Sequence, residues 1–104
     1  MTTIAQIQRA VAQHYGVSVL EICSARQTRA ILMPRHVAMY LARHLTPHSL
    51  PAIARQFGGR DHTTVMAAVR KIDRFRQNDR VLSDDLFDIE ARLFFTLAAL
   101  TRGQ

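Results

Sequence analysis

Phe57-Gly58-Gly59-Arg60-Asp61-His62-Thr63-Thr64-Val65 is the stretch whose reading decides the fold. A glycine pair takes φ > 0 without a Cβ penalty, so it can end one helix and turn the chain sharply into another. Asp61 or Thr63 can cap the free N–H groups of that second helix, and Val65, Val69 and Ile72 then recur at i, i+4 and i+7 on one face. Arg60, His62 and Thr64 fall off that face. An exposed first turn bearing a cation, an acceptor, an imidazole and threonine hydroxyls has the chemistry to read base edges in a major groove. Upstream, Ser49 to Phe57 reads as a helix with Ser49 as N-cap and Pro51 in its first turn, so the pair makes a helix-turn-helix.

The nine residues FGGRDHTTV, with HSLPAIARQ before them and MAAVRKI after them, resemble the signature of the C-terminal DNA-binding domain of the bacterial replication initiator DnaA. The likeness runs from about Ile4 to Leu93. It implies that Asp61, His62 and Thr63 read bases, and the full set of expected base contacts is Arg60, Asp61, His62, Thr63 and Thr64. It also implies a basic loop along the DNA backbone, here Ser24 to Met33, in which Arg26 and Arg29 occupy basic positions. The family's minor-groove arginine aligns with Gln27, so the resemblance implies weaker readout of the A·T-rich end of a site, unless Arg26 or Arg29 takes that place. Arg35, Arg43, Lys71 and the Ser49-Leu50 helix start are the implied phosphate contacts. A free helix N-terminus suits that task on physical grounds as well.

A chain of 104 residues suits one domain with one modest core, and no segment sustains the apolar/polar alternation of a strand. The expected architecture is all-α: a compact helical domain containing the helix-turn-helix and ending in an extended C-terminal helix. Thr3 can cap a first helix with Ile4, Ile7, Val11 and Tyr15 on one face and Gly16 at its end. Ser18-Val19-Leu20-Glu21 has the form of a capping box, opening a short helix whose Leu20, Ile22 and Cys23 face the core. Pro34 fits the first position of a longer helix with Val37, Ala38, Leu41, Ala42 and Leu45 as its stripe. The helix after the glycine turn runs to about Arg76, and Ser83-Asp84-Asp85 opens the last helix, with Leu86, Ile89, Leu93, Leu97 and Leu100 in line. Residues 94–104 extend beyond the likeness, and their Phe94-Phe95-Thr96-Leu97 is apolar around more than one face. That surface either joins a second copy or another protein, or folds back over an enlarged core.

Charge placement supports a nucleic-acid partner. Before Ser83 the chain carries 12 basic and 4 acidic residues, and from Ser83 onward 2 and 4. Arginine outnumbers lysine thirteen to one, which suits bidentate phosphate contacts but also follows from a GC-rich genome. Arg70, Lys71, Arg74 and Arg76 are either phosphate contacts or a solvated face. The single Cys23 excludes an internal disulfide and is compatible with a reducing cytosol. Neither a secretory signal nor an apolar run of membrane-spanning length is visible, so a cytoplasmic location is expected.

The chemistry of catalysis is missing from the pattern. His44 and His48 are four apart with Pro47 between them, and His36 and His62 lack ligand-spaced partners, which argues against a metal. No Ser/His/Asp arrangement and no P-loop is present, so neither an enzyme nor a nucleotide cofactor is expected. The family's initiators carry an ATPase module before this domain, and these residues have none. Two readings follow: a duplex-binding protein acting at DnaA-box-like sites in replication or transcription, or an interaction module using the apolar C-terminal helix with vestigial DNA affinity.

Overall fold

Five of the six helices begin where a side chain satisfies N–H groups that the helix itself leaves free. In the computed structural model, which describes residues 2–102 and the side chains through Thr96, six helices follow one another without a strand among the described residues. Helix α1 (Ile4–Tyr15) opens with a reciprocal box: Thr3 Oγ1 accepts from Gln6 N at 3.1 Å, and Gln6 Oε1 accepts from Thr3 N at 2.9 Å. Gly16, left-handed at φ 70°, ends it. The four-residue α2 (Val19–Ile22) repeats the device with Ser18 and Glu21. Leu20 was expected in the core and is instead 83% exposed. Successive helical residues lie about 100° apart, so a one-turn helix that buries Ile22 and half-buries Val19 has no face left for Leu20.

Helix α3 (Arg29–Leu45) starts five residues earlier than the Pro34 start the sequence suggests. The Thr28 carbonyl accepts from Ile31 N at 3.0 Å and Leu32 N at 2.8 Å, and buried Ile31 anchors this first turn. Pro34 lacks the N–H that would have met the Ala30 carbonyl, and Ala30 is exposed, so that carbonyl is not sealed away from solvent. Helix α4 (Leu50–Gln56) is capped by Ser49 and buries Ile53 and Ala54. Helix α5 (His62–Phe75) is capped by Asp61, which settles the choice between Asp61 and Thr63, and buries Val65, Ala68 and Ile72. Helix α6 (Arg80–Arg102) starts ahead of Ser83 because Asp79 Oδ1 accepts from Leu82 N at 3.0 Å. It buries Leu82, Leu86, Ile89 and Leu93; the side chains of Leu97 and Leu100 lie outside the described residues.

Helix α3 is the axis. It packs against α5 and α1, α4 packs on α5, and α6 packs on α1. One apolar cluster drawn from all six helices fills the interior. The α1–α6 seam also has a polar clasp: Asp85 accepts from His14 Nε2 at 2.8 Å and from Tyr15 Oη at 3.1 Å. Burial and the neighbouring Asp85 carboxylate hold the Tyr15 phenol well above its usual range.

The turn between α4 and α5 explains both glycines differently. Gly58 (φ 87°) and Gly59 (φ 74°) are both left-handed, but a Cβ on Gly59 would point into open space, whereas one on Gly58 would overlap the Cys23 carbonyl oxygen. Gly59→Ala is therefore expected to cost about 1–2 kcal/mol from the backbone conformation alone. Gly58→Ala should cost distinctly more, because backbone has to move away from backbone. Urea unfolding of the two variants checks this, and equal losses would contradict the close approach at Gly58.

Candidate nucleic-acid interface

The first turn of α5 projects from the body with its polar side chains outward. Asp61, His62, Thr63 and Thr64 are all exposed, while Val65 directly after them is buried. Asp61 does two jobs with one oxygen: Oδ1 accepts from Thr63 N at 2.9 Å and from Thr63 Oγ1 at 3.0 Å, and lies 3.3 Å from His62 Nδ1. These hydrogen bonds, with His62 adding a smaller share, hold its carboxyl below the usual range. No described residue donates to Oδ2, which leaves an ionised acceptor at the tip of a helix.

Arg60, expected among the base contacts, lies apart from this group. Its side chain turns inward, Nη2 donates to the Ser24 carbonyl, and Nε is enclosed without a partner. Arg35 is turned inward more completely. The sequence reading makes it a phosphate contact, yet it is 2% exposed. Its Nε donates to the Ile22 carbonyl at 2.7 Å, and its Nη2 to the carbonyls of Ser24 at 2.9 Å and Glu21 at 3.3 Å. These carbonyls lie at and just beyond the end of α2, where that of Glu21 also accepts from Ser24 N at 3.1 Å and Ser24 Oγ at 2.6 Å, so the guanidinium adds to the cap of that end from α3. Burial, and then the adjacent Arg60 charge, pull the Arg35 pKa down. Its position was legible in the spacing, since Arg35 shares a stripe with buried Ala38, Met39 and Ala42.

The other expected backbone contacts are surface groups. In the loop, which the early start of α3 shortens to residues 24–28, Arg26 and Gln27 are exposed, as is Arg29 at the head of α3, and Arg26 reaches Glu21 Oε2 at 3.1 Å. Arg43 stands exposed on the last turn of α3. At the start of α4, Ser49 Oγ accepts from Ala52 N at 3.3 Å and Leu50 is half-buried. Lys71 projects between α5 and α3, with Nζ 3.5 Å from His36 Nδ1 and 5.9 Å from the centre of the Phe75 ring. The Arg74 guanidinium lies over the same ring at 5.3 Å, and Arg76 donates to Tyr40 Oη. The sequence reading gave Phe75 and Tyr40 no part in placing cations; a Phe four residues after a Lys on one helix face was the available signal.

Comparison with known proteins gives this geometry its kin. A family model described as the bacterial DnaA protein helix-turn-helix matches residues 4–72. The chromosomal replication initiator protein DnaA of Mesorhizobium japonicum is 58% identical over 83 residues, covering 80% of this chain and 17% of that protein. Its counterpart from Caulobacter sp. strain K31 is 53% identical over 91 residues, covering 88% and 19%. A solved crystal structure of a DNA replication initiation factor superposes with a TM-score of 0.78 at 32% identity, over 89% of this chain and 28% of that one. The chain thus spans under a fifth of the length of these curated relatives.

The cationic surroundings of His36 make a pH prediction. Burial first, then Lys71, Arg35 and Arg60, push its pKa from 6.5 to about 4. Between those values the unfolded chain binds a proton that the folded chain refuses, so stability falls as pH drops through that window. The melting temperature is expected to fall between pH 7 and pH 5, and His36→Gln should flatten the slope. An unchanged slope in the variant would remove His36 as its source.

Proposed function

The chain belongs to the bacterial DnaA helix-turn-helix family, and we propose that it binds double-stranded DNA sequence-specifically at DnaA-box-like sites, in the control of replication initiation or transcription. One observation carries this reading: a single exposed helix turn presents Asp61, His62, Thr63 and Thr64, while the opposite face of the same helix is locked into the core by Val65, Ala68 and Ile72. Base readout needs a few groups held rigidly at a helix end, and this end is rigid and outward. The Asp61 carboxylate can accept from cytosine N4, and the Thr63 and Thr64 methyls can meet thymine. Lys71, Arg43, Arg26, Gln27, Arg29 and the Ser49-Leu50 helix start are the proposed backbone contacts. Arg35 is withdrawn from that set by its burial. No reaction and no cofactor enter the proposal; the contribution is binding, and a duplex partner places it in the cytoplasm of a bacterium.

Selection from random duplexes tests the site, with enrichment of a sequence resembling TTATCCACA supporting it and no enrichment opposing it. On the enriched duplex, Asp61→Ala or Thr63→Ala is expected to cost about 1–3 kcal/mol, with little loss on random DNA. Lys71→Ala should weaken all duplexes alike and reduce the salt slope by about one. Equal losses on both duplexes for Asp61→Ala would take it out of the base-reading set.

A second surface supports a second partner. Phe87, Phe94 and Phe95 on α6 are 71%, 67% and 69% exposed, and Phe94 and Phe95 stack edge to face at 5.9 Å. Residues 1–104 are proposed to act as one unit in which the extension at 94–104 carries a docking face for a second copy or another protein. Sedimentation across a concentration series checks self-association: the wild-type chain should associate and Phe94→Asp/Phe95→Asp should not. A wild-type monomer throughout would leave this surface to a different protein.

A further inference from the structure

The Ser24 carbonyl accepts from two guanidinium groups that arrive from different parts of the fold. Arg35 reaches it from α3 at 2.9 Å, and Arg60 reaches it from the residue just before the Asp61 cap of α5. Ser24 is the root of the exposed loop that holds Arg26 and Gln27 and leads into Arg29 at the head of α3, and Arg60 is the root of the proposed reading turn. The two roots also meet directly, since the Gly58 backbone lies against the Cys23 carbonyl too closely for a Cβ. Arg60 N–H meanwhile donates to the Ala54 carbonyl at 3.1 Å, which fixes the backbone from which the side chain reaches across.

Arg60 holds this position at a cost. Its Nε is enclosed without an acceptor, it stands beside the Arg35 charge, and no described carboxylate pairs with either group. An arginine that merely decorated the surface would turn outward and satisfy all its donors with water. One that read a base would also point its fork outward. The inward turn is retained because of what it holds. From this geometry we infer that Arg60 is a positioning residue, tying the basic loop to the first turn of α5 through the shared Ser24 carbonyl so that loop contacts and base-reading contacts to DNA are energetically coupled. The inference rests on the duplex-binding reading, but the tie itself exists in the free protein.

Two measurements decide it. Arg60→Met keeps the half-buried stem and removes every donor, whereas Arg60→Lys retains one donor of similar reach. In the free protein, amide exchange at residues 24–28 is expected to accelerate about tenfold in Arg60→Met, the effect of losing one charge-assisted hydrogen bond. It should stay near wild type in Arg60→Lys and in the surface control Arg55→Ala, with exchange at Ile72 unchanged in all of them. On the enriched duplex, the loss caused by Arg29→Ala should shrink from about tenfold to under about twofold when Arg60→Met is already present. Unchanged loop exchange in Arg60→Met overturns the tie. Additive losses, with the Arg60→Met effect confined to one base pair of the site, would make Arg60 a base reader and overturn the coupling. If no duplex is enriched, the function reading fails and the exchange measurement still decides the tie.

Discussion

A buried guanidinium with no carboxylate partner is the constraint on which the rest of this structure depends. Taking a charge out of water costs several kcal/mol even after relaxation, so Arg35 is tolerable only because three carbonyls meet it at 2.7–3.3 Å. Those carbonyls come from Glu21, Ile22 and Ser24, at the end of a helix too short to stabilise itself. Each side thus supplies what the other lacks. The end of the short helix presents carbonyl acceptors, and α3 brings a cation that would otherwise be buried without a partner. A carboxylate in place of the carbonyls would neutralise the site, but it would not fix three successive backbone positions at once.

The consequences spread from there to the reading end. With the end of α2 fixed, the Cys23 carbonyl stands where Gly58 has to pass, and the α4–α5 turn is set against it. Gln8 reinforces the same junction from α1, donating to the Gln56 carbonyl at 2.9 Å. The turn in turn fixes Arg60 and Asp61, and Asp61 fixes Thr63 through its backbone and its hydroxyl. Polar backbone contacts of this kind are directional, so they determine orientation where the apolar core determines only proximity.

Periodicity and capping made most of the fold legible in the sequence, because both are local. The Thr3, Ser18, Ser49 and Asp61 caps and the Val65–Ile72 stripe each depend on residues within a turn or two of one another. The departures are tertiary. Pro34 looks like a helix start until buried Ile31 is seen to anchor an earlier turn, and Asp79 pre-empts Ser83 in the same way. Leu20 looks like core until the shortness of α2 leaves it outside. At the candidate site the outward cluster Asp61 to Thr64 is readable because it starts a helix whose other face is apolar. Arg35 and Arg60 are not readable as inward groups by residue type, since arginine at the surface is the ordinary case and only the carbonyls waiting at Glu21 to Ser24 reverse it.

The two candidate surfaces are carried by different parts of the same scaffold. The proposed reading turn belongs to α5, which is braced by α3 and α4, whereas α6 packs chiefly on α1. The α1–α6 seam has its own polar ties: Asp85 with His14 and Tyr15 near one end, and Arg92 Nη1 donating to Gln13 Oε1 at 2.9 Å farther along. A body seated on Phe94 and Phe95 therefore loads α6 and reaches α3 chiefly through α1. The acidic residues concentrate on α6, at Asp84, Asp85, Asp88 and Glu90, and the cations concentrate before it. The proposed duplex would be drawn to the basic part and repelled by the acidic one. Charge and packing thus divide the molecule along the same line, so the two proposed partners would load different helices.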